Sequence, residues 1–440
     1  MLLRPLAALL IALMLLPAAV AQAQEHFTLD NGLELVVIED RRAPVVTHMV
    51  WYRVGAADEP PGQSGIAHYL EHLMFKATEN LEQGEFSATV EAQGGRDNAF
   101  TSWDYTAYHQ RVAADRLGLM MAMEAERMVN LRIDRSDWLP ERDVILEERG
   151  QVLEAHPDRQ LQEAMRAALF QNHPYGVPII GWRHEMELLD DVMAQDFYAA
   201  HYGPNNAIVI VAGDIAAEDA LALAHEHYGS IPPNPAIQPR SRPLEPPHLV
   251  ERRLTMVDPR APRPYVSRIY LTTNRRSGDQ IEAAALRMLA ALLGGSAQTS
   301  VLERRLTHEE GVSVTAWAGY TGTALDHGIF SLGVMPVDGV SLAEAEAALD
   351  RVLADFIETG VDPEQFERVR RQLRAAEVFQ LDDAGSRARS IGVALSTGLT
   401  LEDYLAWPEV LQAVTADQVI AAARSLDRRA SVTGWMERED

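Results

Sequence analysis

Residues 64–78 read SGIAHYLEHLMFKAT. Ile66, Ala67, Leu70, Leu73, Met74 and Phe75 recur at helical spacing, so the segment reads as a mostly buried helix of about three turns, opened by Gly65. On that helix His68 and His72, four apart, project from one face about one turn from each other, which suits two imidazoles binding a single metal ion. Glu71 lies beside them, within reach of a water on such an ion. A solvated polar stripe is the competing reading, but a buried His-Glu-His group needs partners or a metal. A catalytic zinc takes three protein ligands and keeps one position for water, so the two histidines require a third donor elsewhere in the chain.

The 440 residues suffice for two or three domains, and 47% hydrophobic with 23% charged residues is ordinary globular composition. A formal charge of −25 argues against nucleic acid or an anionic membrane as partner, since both need a basic surface. The absence of cysteine removes thiolate zinc sites and cysteine nucleophiles. Residues 1–23, with Arg4, an apolar run from Leu6 to Leu16 and alanines at 19, 21 and 23, read as a secretory signal peptide, and the mature protein is expected in the periplasm. An uncleaved anchor is the alternative; no later stretch is long and apolar enough to cross a membrane, so no stable membrane insertion is expected.

A proline-rich linker, residues 230–249, separates an N-terminal domain (24–229) from a C-terminal one (250–440). Both halves follow one plan. In the first, the strands LELVVIED and VVTHMVWYRVG precede the HYLEH helix, then strand-like AFTSWDYTAYHQRV and long helices. In the second, YVSRIYLTT precedes the helix DQIEAAALRMLAALLGG, then the strands VSVTAWAGY and HGIFSLGVMP and further helices. The expected fold class is α+β: two similar α/β-sandwich domains, each an antiparallel-rich sheet with helices packed on one face.

His-x-x-Glu-His, followed after seventy-five residues by Glu148 in ERDVILEERGQV, resembles the inverzincins, or pitrilysin-type metallopeptidases. GGRDNAFTSWDYTAYH, HYGPNNAIVIVAGDI and FTLDNGLELVVIEDRRAPVV are similar to that family's edge strand, end-of-domain strand and first hairpin. The two-domain length resembles the mitochondrial processing peptidase β subunit and its bacterial relatives. The resemblance implies one Zn2+ per chain held by His68, His72 and Glu148, with Glu71 as general base and Glu141, seven residues before Glu148, supporting the ligands from behind. Glu147 is the alternative ligand, about 100° around the helix. It also implies that Asn98, Ala99, Phe100 and Thr101 form an edge onto which an extended peptide adds as a strand. Phe75 is a candidate subsite wall, with core packing as its other reading. The implied function is zinc-dependent endopeptidase action on extended peptides inside an enclosed chamber; the alternative is a non-catalytic structural or peptide-binding subunit of the same fold.

Active members of that family carry, in the domain facing the zinc, an arginine and a tyrosine seven residues apart that contact the oxyanion. In ERRLTHEEGVSVTAWAGY, with Gly311 matched to the family glycine, those positions hold Thr307 and Val314. Neither can donate as required, and Arg304, Arg305 and Tyr320 fall out of register. The resemblance therefore implies a heterodimer in which this chain is the zinc subunit and a related second subunit supplies the arginine and tyrosine.

Overall fold

In the computed structural model residues 24–380 and 383–438 are described, so the expected signal segment 1–23 lies outside the described residues. The first half contributes β1 (Gln24–Thr28), β2 (Glu34–Glu39), β3 (Val45–Tyr52), a short β4 (Ala77–Thr78), β5 (Arg96–Thr101), β6 (Thr106–Ala113), a short β7 (Leu131–Arg132) and β8 (Ala207–Gly213). The second contributes β9 (Arg252–Val257), β10 (Tyr265–Thr272), β11 (Ser313–Thr321), β12 (Gly328–Pro336) and β13 (Ser431–Glu437).

One of the two large sheets runs β1-β2-β8-β3-β6-β5 and the other β11-β12-β10-β13-β9, while β4 and β7 form a separate two-stranded pair. Reading the first from its β5 edge gives the order of the second, with one additional strand at the end. The single parallel pair also falls at the same place, β2 with β8 and β13 with β9, while the other pairs are antiparallel. The two halves are thus one topology used twice, as their element order suggests.

Each sheet is covered on both faces, and the second cover comes from the other half. The strand β8, AIVIVAG, is buried along its whole length. Ala207, Val209 and Val211 face the helices of their own half, while Ile208, Ile210 and Ala212 face Ala388, Ile391 and Leu395 of the C-terminal helix Ala384–Ser396. A strand buried on both faces needs this unbroken apolar run. Gly392 lets that helix approach, because a Cβ there would lie 2.1 Å from the Trp51 ring. In return the first-half helix Pro157–Leu169 sets Leu161, Met165 and Leu169 against Tyr265, Val432 and Met436 of the second sheet.

No helix or strand occurs between the helix Ala217–His227 and β9. This connecting segment is nonetheless tightly held. The Arg242 guanidinium donates to Asp58 (2.8 Å) and Asp104 (2.6 Å) of the first half and to Asp326 (2.8 Å) of the second. The side chains of Arg242, Asp58 and Asp104 are only 5%, 8% and 4% exposed. Removing a buried cation from three carboxylates leaves their charge uncompensated, so Arg242→Met is expected to lower unfolding free energy by about 3–5 kcal/mol in a denaturant titration. Burial opposes the charge of Asp326, but hydrogen bonds from His173 and Arg242 outweigh it and hold its carboxyl at about 2. Its folded pKa is below the ordinary value near 4, so its stabilisation is present above pH ~4 and is lost as pH falls through 2. Arg242→Met should blunt that acid-side loss. Among the described residues no helix is long and apolar enough to cross a membrane.

Candidate active site

The helix Ile66–Leu73 starts without a side-chain cap of its own. The Glu59 carboxyl does that work, accepting the N–H groups of Gly65 and Ala67 at 3.0 Å each, while its burial raises its pKa well above the ordinary carboxyl value. The chain around Gly181 crosses this end so closely that both partners are glycine: a Cβ on Gly65 would lie 2.6 Å from the Ile180 carbonyl, and one on Gly181 2.4 Å from that of Ser64. Both have φ of 91°. The opposing helix, Arg135–Arg149, buries Ile145 and presents Glu141 and Glu148, seven residues and so two turns apart, toward the histidines.

One donor atom each from His68, His72 and Glu148 lies within 4.8 Å of the other two. The Glu148 carboxylate is 3.6 Å from His68 Nε2 and 3.5 Å from His72 Nε2. The opposite nitrogen of His72, Nδ1, is hydrogen-bonded to Glu141 at 2.9 Å, which fixes the ring with Nε2 toward the other ligands. Lys76 pairs with the second Glu141 oxygen. Burial and the adjacent His72 hold His68 down to about 4, so its imidazole is neutral. Burial also opposes a charge on His72, but its hydrogen bonds to Glu141 and Glu148 prevail and lift it to about 9. The hydrogen bond from His72 keeps the Glu148 carboxyl low. Two imidazoles and one carboxylate, with one ring oriented from behind by a second carboxylate, fit a catalytic zinc ion. Glu147 is exposed and accepts from Gln151 instead.

Glu71 is 8% exposed and accepts a 2.5 Å hydrogen bond from the Thr101 hydroxyl. Burial raises its pKa, with Thr101 acting against the rise. Thr101 ends β5, whose neighbour in the sheet is β6 and whose other edge pairs with no strand among the described residues. Ala99, Phe100 and Thr101 line, with His68, Glu71 and Glu148, a cleft of about 970 Å³ between the halves.

Phe75 and Asn98 are not among the residues that line the cleft. Phe75 packs against the first-half core, with the Arg127 guanidinium 5.2 Å over its ring and Tyr108 6.2 Å away, and is not a cleft residue; its apolar area is better buried there. Asn98 is exposed on β5 outside the cleft lining, and its side-chain oxygen accepts its neighbour's N–H, that of Ala99, at 2.8 Å. Phe100 reaches the cleft but also packs among Trp51 and Tyr105, with Arg389 3.7 Å over its ring.

The second half's wall of the cleft consists of Ser267, Ile269, Trp317, Ile329 and Ser331. Thr307 shares a 2.7 Å hydrogen bond with Ser313, and Val314 is 45% exposed. Arg304 and Arg305 pair with Glu309 and Asp355, and the Tyr320 hydroxyl donates to the Thr273 carbonyl. None of these lines the cleft. Lys76 follows His72 by four residues but lies past the helix end, in a bend, so closeness in sequence is its only pointer. Glu59 and the Thr101 hydroxyl carry no such local signal.

Residues 35–182 match the family model described as Insulinase (Peptidase family M16), and residues 193–373 that of the Peptidase M16 inactive domain. An uncharacterized zinc protease of Mycobacterium tuberculosis is 31% identical over 423 residues, 93% of this chain and 92% of that protein. The crystal structure of a protease from Helicobacter pylori superposes with a TM-score of 0.85 at 24% identity, covering 94% of this chain and all 100% of that one. The periplasmic protease PqqL from Escherichia coli gives a TM-score of 0.81 at 22% identity over 94% of this chain and 47% of its own length. With a relative this similar along nearly its whole length, the chain belongs to the M16 peptidase family, whose members here include proteins named zinc proteases.

Proposed function

We propose that this chain is a zinc-dependent endopeptidase of extended peptides, acting in an enclosed chamber as the zinc subunit of a heterodimer, with one Zn2+ held by His68, His72 and Glu148. The observation that carries this reading is the convergence of those three donors beside the buried Glu71 and the unpaired edge of β5. Zinc held there would polarise a peptide carbonyl and bring a water toward neutral pKa. Glu71 accepts the proton of the attacking water and returns it to the leaving amine; a carboxylate raised by burial is suited to both transfers. Thr101 holds the Glu71 carboxylate in place. The peptide lies along β5, where its carbonyl replaces the Asn98 side chain as acceptor for the Ala99 N–H. The leader-like residues 1–23 and the periplasmic protease of like fold support a periplasmic location.

The test is hydrolysis of an unstructured peptide by the purified chain, alone and with candidate partner chains, before and after a zinc chelator. Chelator-sensitive cleavage, restored by added zinc, is expected; cleavage indifferent to the chelator would refute the reading. Glu141 carries a graded prediction. Glu141→Gln should weaken zinc binding about 10- to 100-fold in a competition titration, because His72 and Lys76 both lose a charged partner.

A further inference from the structure

The cleft contains a partly buried cation without an ion partner among the described residues. Arg166, on the helix Pro157–Leu169, lines the cleft together with Trp103, Met165, Pro178 and Ile179. Its guanidinium lies 3.5 Å over the Trp103 ring, and its Nε donates to the Tyr175 carbonyl at 2.7 Å. Trp103 is itself fixed by a 2.8 Å hydrogen bond from its indole N–H to the Val177 carbonyl. One face and one edge of the guanidinium are therefore held, and the edge bearing Nη1 and Nη2 has no protein acceptor among the described residues.

The other charges of this wall are paired or solvated. Glu163 is paired with Arg149 at 2.9 Å, and Asp104, whose field reaches Arg166, is bound by Arg242 and the Tyr175 hydroxyl; Arg159, also on the lining, has no carboxylate partner but is exposed and donates to the Val152 carbonyl, so it is neither desolvated nor held on an aromatic face as Arg166 is. A partly buried, immobilised guanidinium with a free two-donor edge matches a carboxylate in geometry and charge. In a protein of net charge −25 such a cation stands out, because a surface that repels acidic ligands needs a local receptor to admit one.

We propose that Arg166 receives a carboxylate of the bound peptide and makes the cleft selective for peptides that carry one. The inference rests on the peptidase reading only in taking the ligand to be a peptide, whose anionic groups are acidic side chains and the C-terminal carboxylate. Both sources share the chemistry, and matched peptides separate them.

The experiment measures binding, so that it does not depend on turnover. Zinc-loaded Glu71→Gln protein is titrated with fluorescent peptides of one extended sequence: aspartate against asparagine at each scanned position, and a free against an amidated C-terminus. One carboxylate form should bind about 10- to 100-fold more tightly than its amide twin, the range of a charge-assisted pair. Adding Arg166→Met should bring that ratio to near one, and Arg166→Lys should retain part of it by keeping the charge without the fork. An aspartate preference identifies a side-chain carboxylate, and a free-terminus preference identifies the peptide end. Equal binding of all pairs, no binding of any form, or a preference that survives Arg166→Met would overturn the proposal. Selective binding together with a wild-type chain that hydrolyses no peptide even with candidate partner chains and zinc would instead reject the peptidase reading and leave Arg166 in its role.

Discussion

Glu71→Gln is expected to keep zinc and to lose peptide hydrolysis by roughly 10²- to 10⁴-fold, the range of a positioned general base. The substitution preserves shape, and the amide oxygen can still accept from Thr101, so the helix Ile66–Leu73 and its histidines should stay in place. What is lost is the basic oxygen. Glu71 is 8% exposed and its carboxyl is raised by burial, which brings its proton affinity nearer to working pH than that of a solvated glutamate. Steady-state turnover should be measured at matched zinc content. Retained turnover in the zinc-replete variant would place the base elsewhere.

The second large effect concerns what the cleft lacks. Its second-half wall offers Ser267, Ile269, Trp317, Ile329 and Ser331, and neither an arginine nor a tyrosine. Loss of one oxyanion donor lowers turnover by about 10²- to 10³-fold, so the isolated chain should cleave peptides very poorly even with zinc bound. A related chain bearing the arginine and tyrosine should restore cleavage by a factor of that order. Changing that partner's tyrosine to phenylalanine should remove most of the gain. Full activity from the isolated, monodisperse chain would sink the heterodimer.

What could be read in advance was local or periodic. His68, Glu71 and His72 sit within five residues of one helix, and Glu141 and Glu148 keep a two-turn spacing on another, so helical geometry alone puts each set on one face. The likeness of HYGPNNAIVIVAGDI to an end-of-domain strand pointed to β8, but not to its second cover, a helix from residues 384–396. That cover depends on Gly392 meeting Trp51, more than three hundred residues away, and no short-range pattern encodes such a contact. The same holds for Arg242, which reads as an ordinary linker cation until three distant aspartates close on it. Phe75 kept two readings because an aromatic beside a metal helix has two uses, and its contacts with Tyr108 and Arg127 favour core packing.

The most direct test of the account is zinc content by elemental analysis after stripping and reloading. One zinc per chain is predicted for the wild type and for Glu71→Gln, and less than about a tenth of that for His68→Ala, His72→Ala and Glu148→Ala, since two remaining ligands make a poor zinc site. A wild type that takes up no zinc, or a Glu148→Ala variant that retains the full complement, would contradict it.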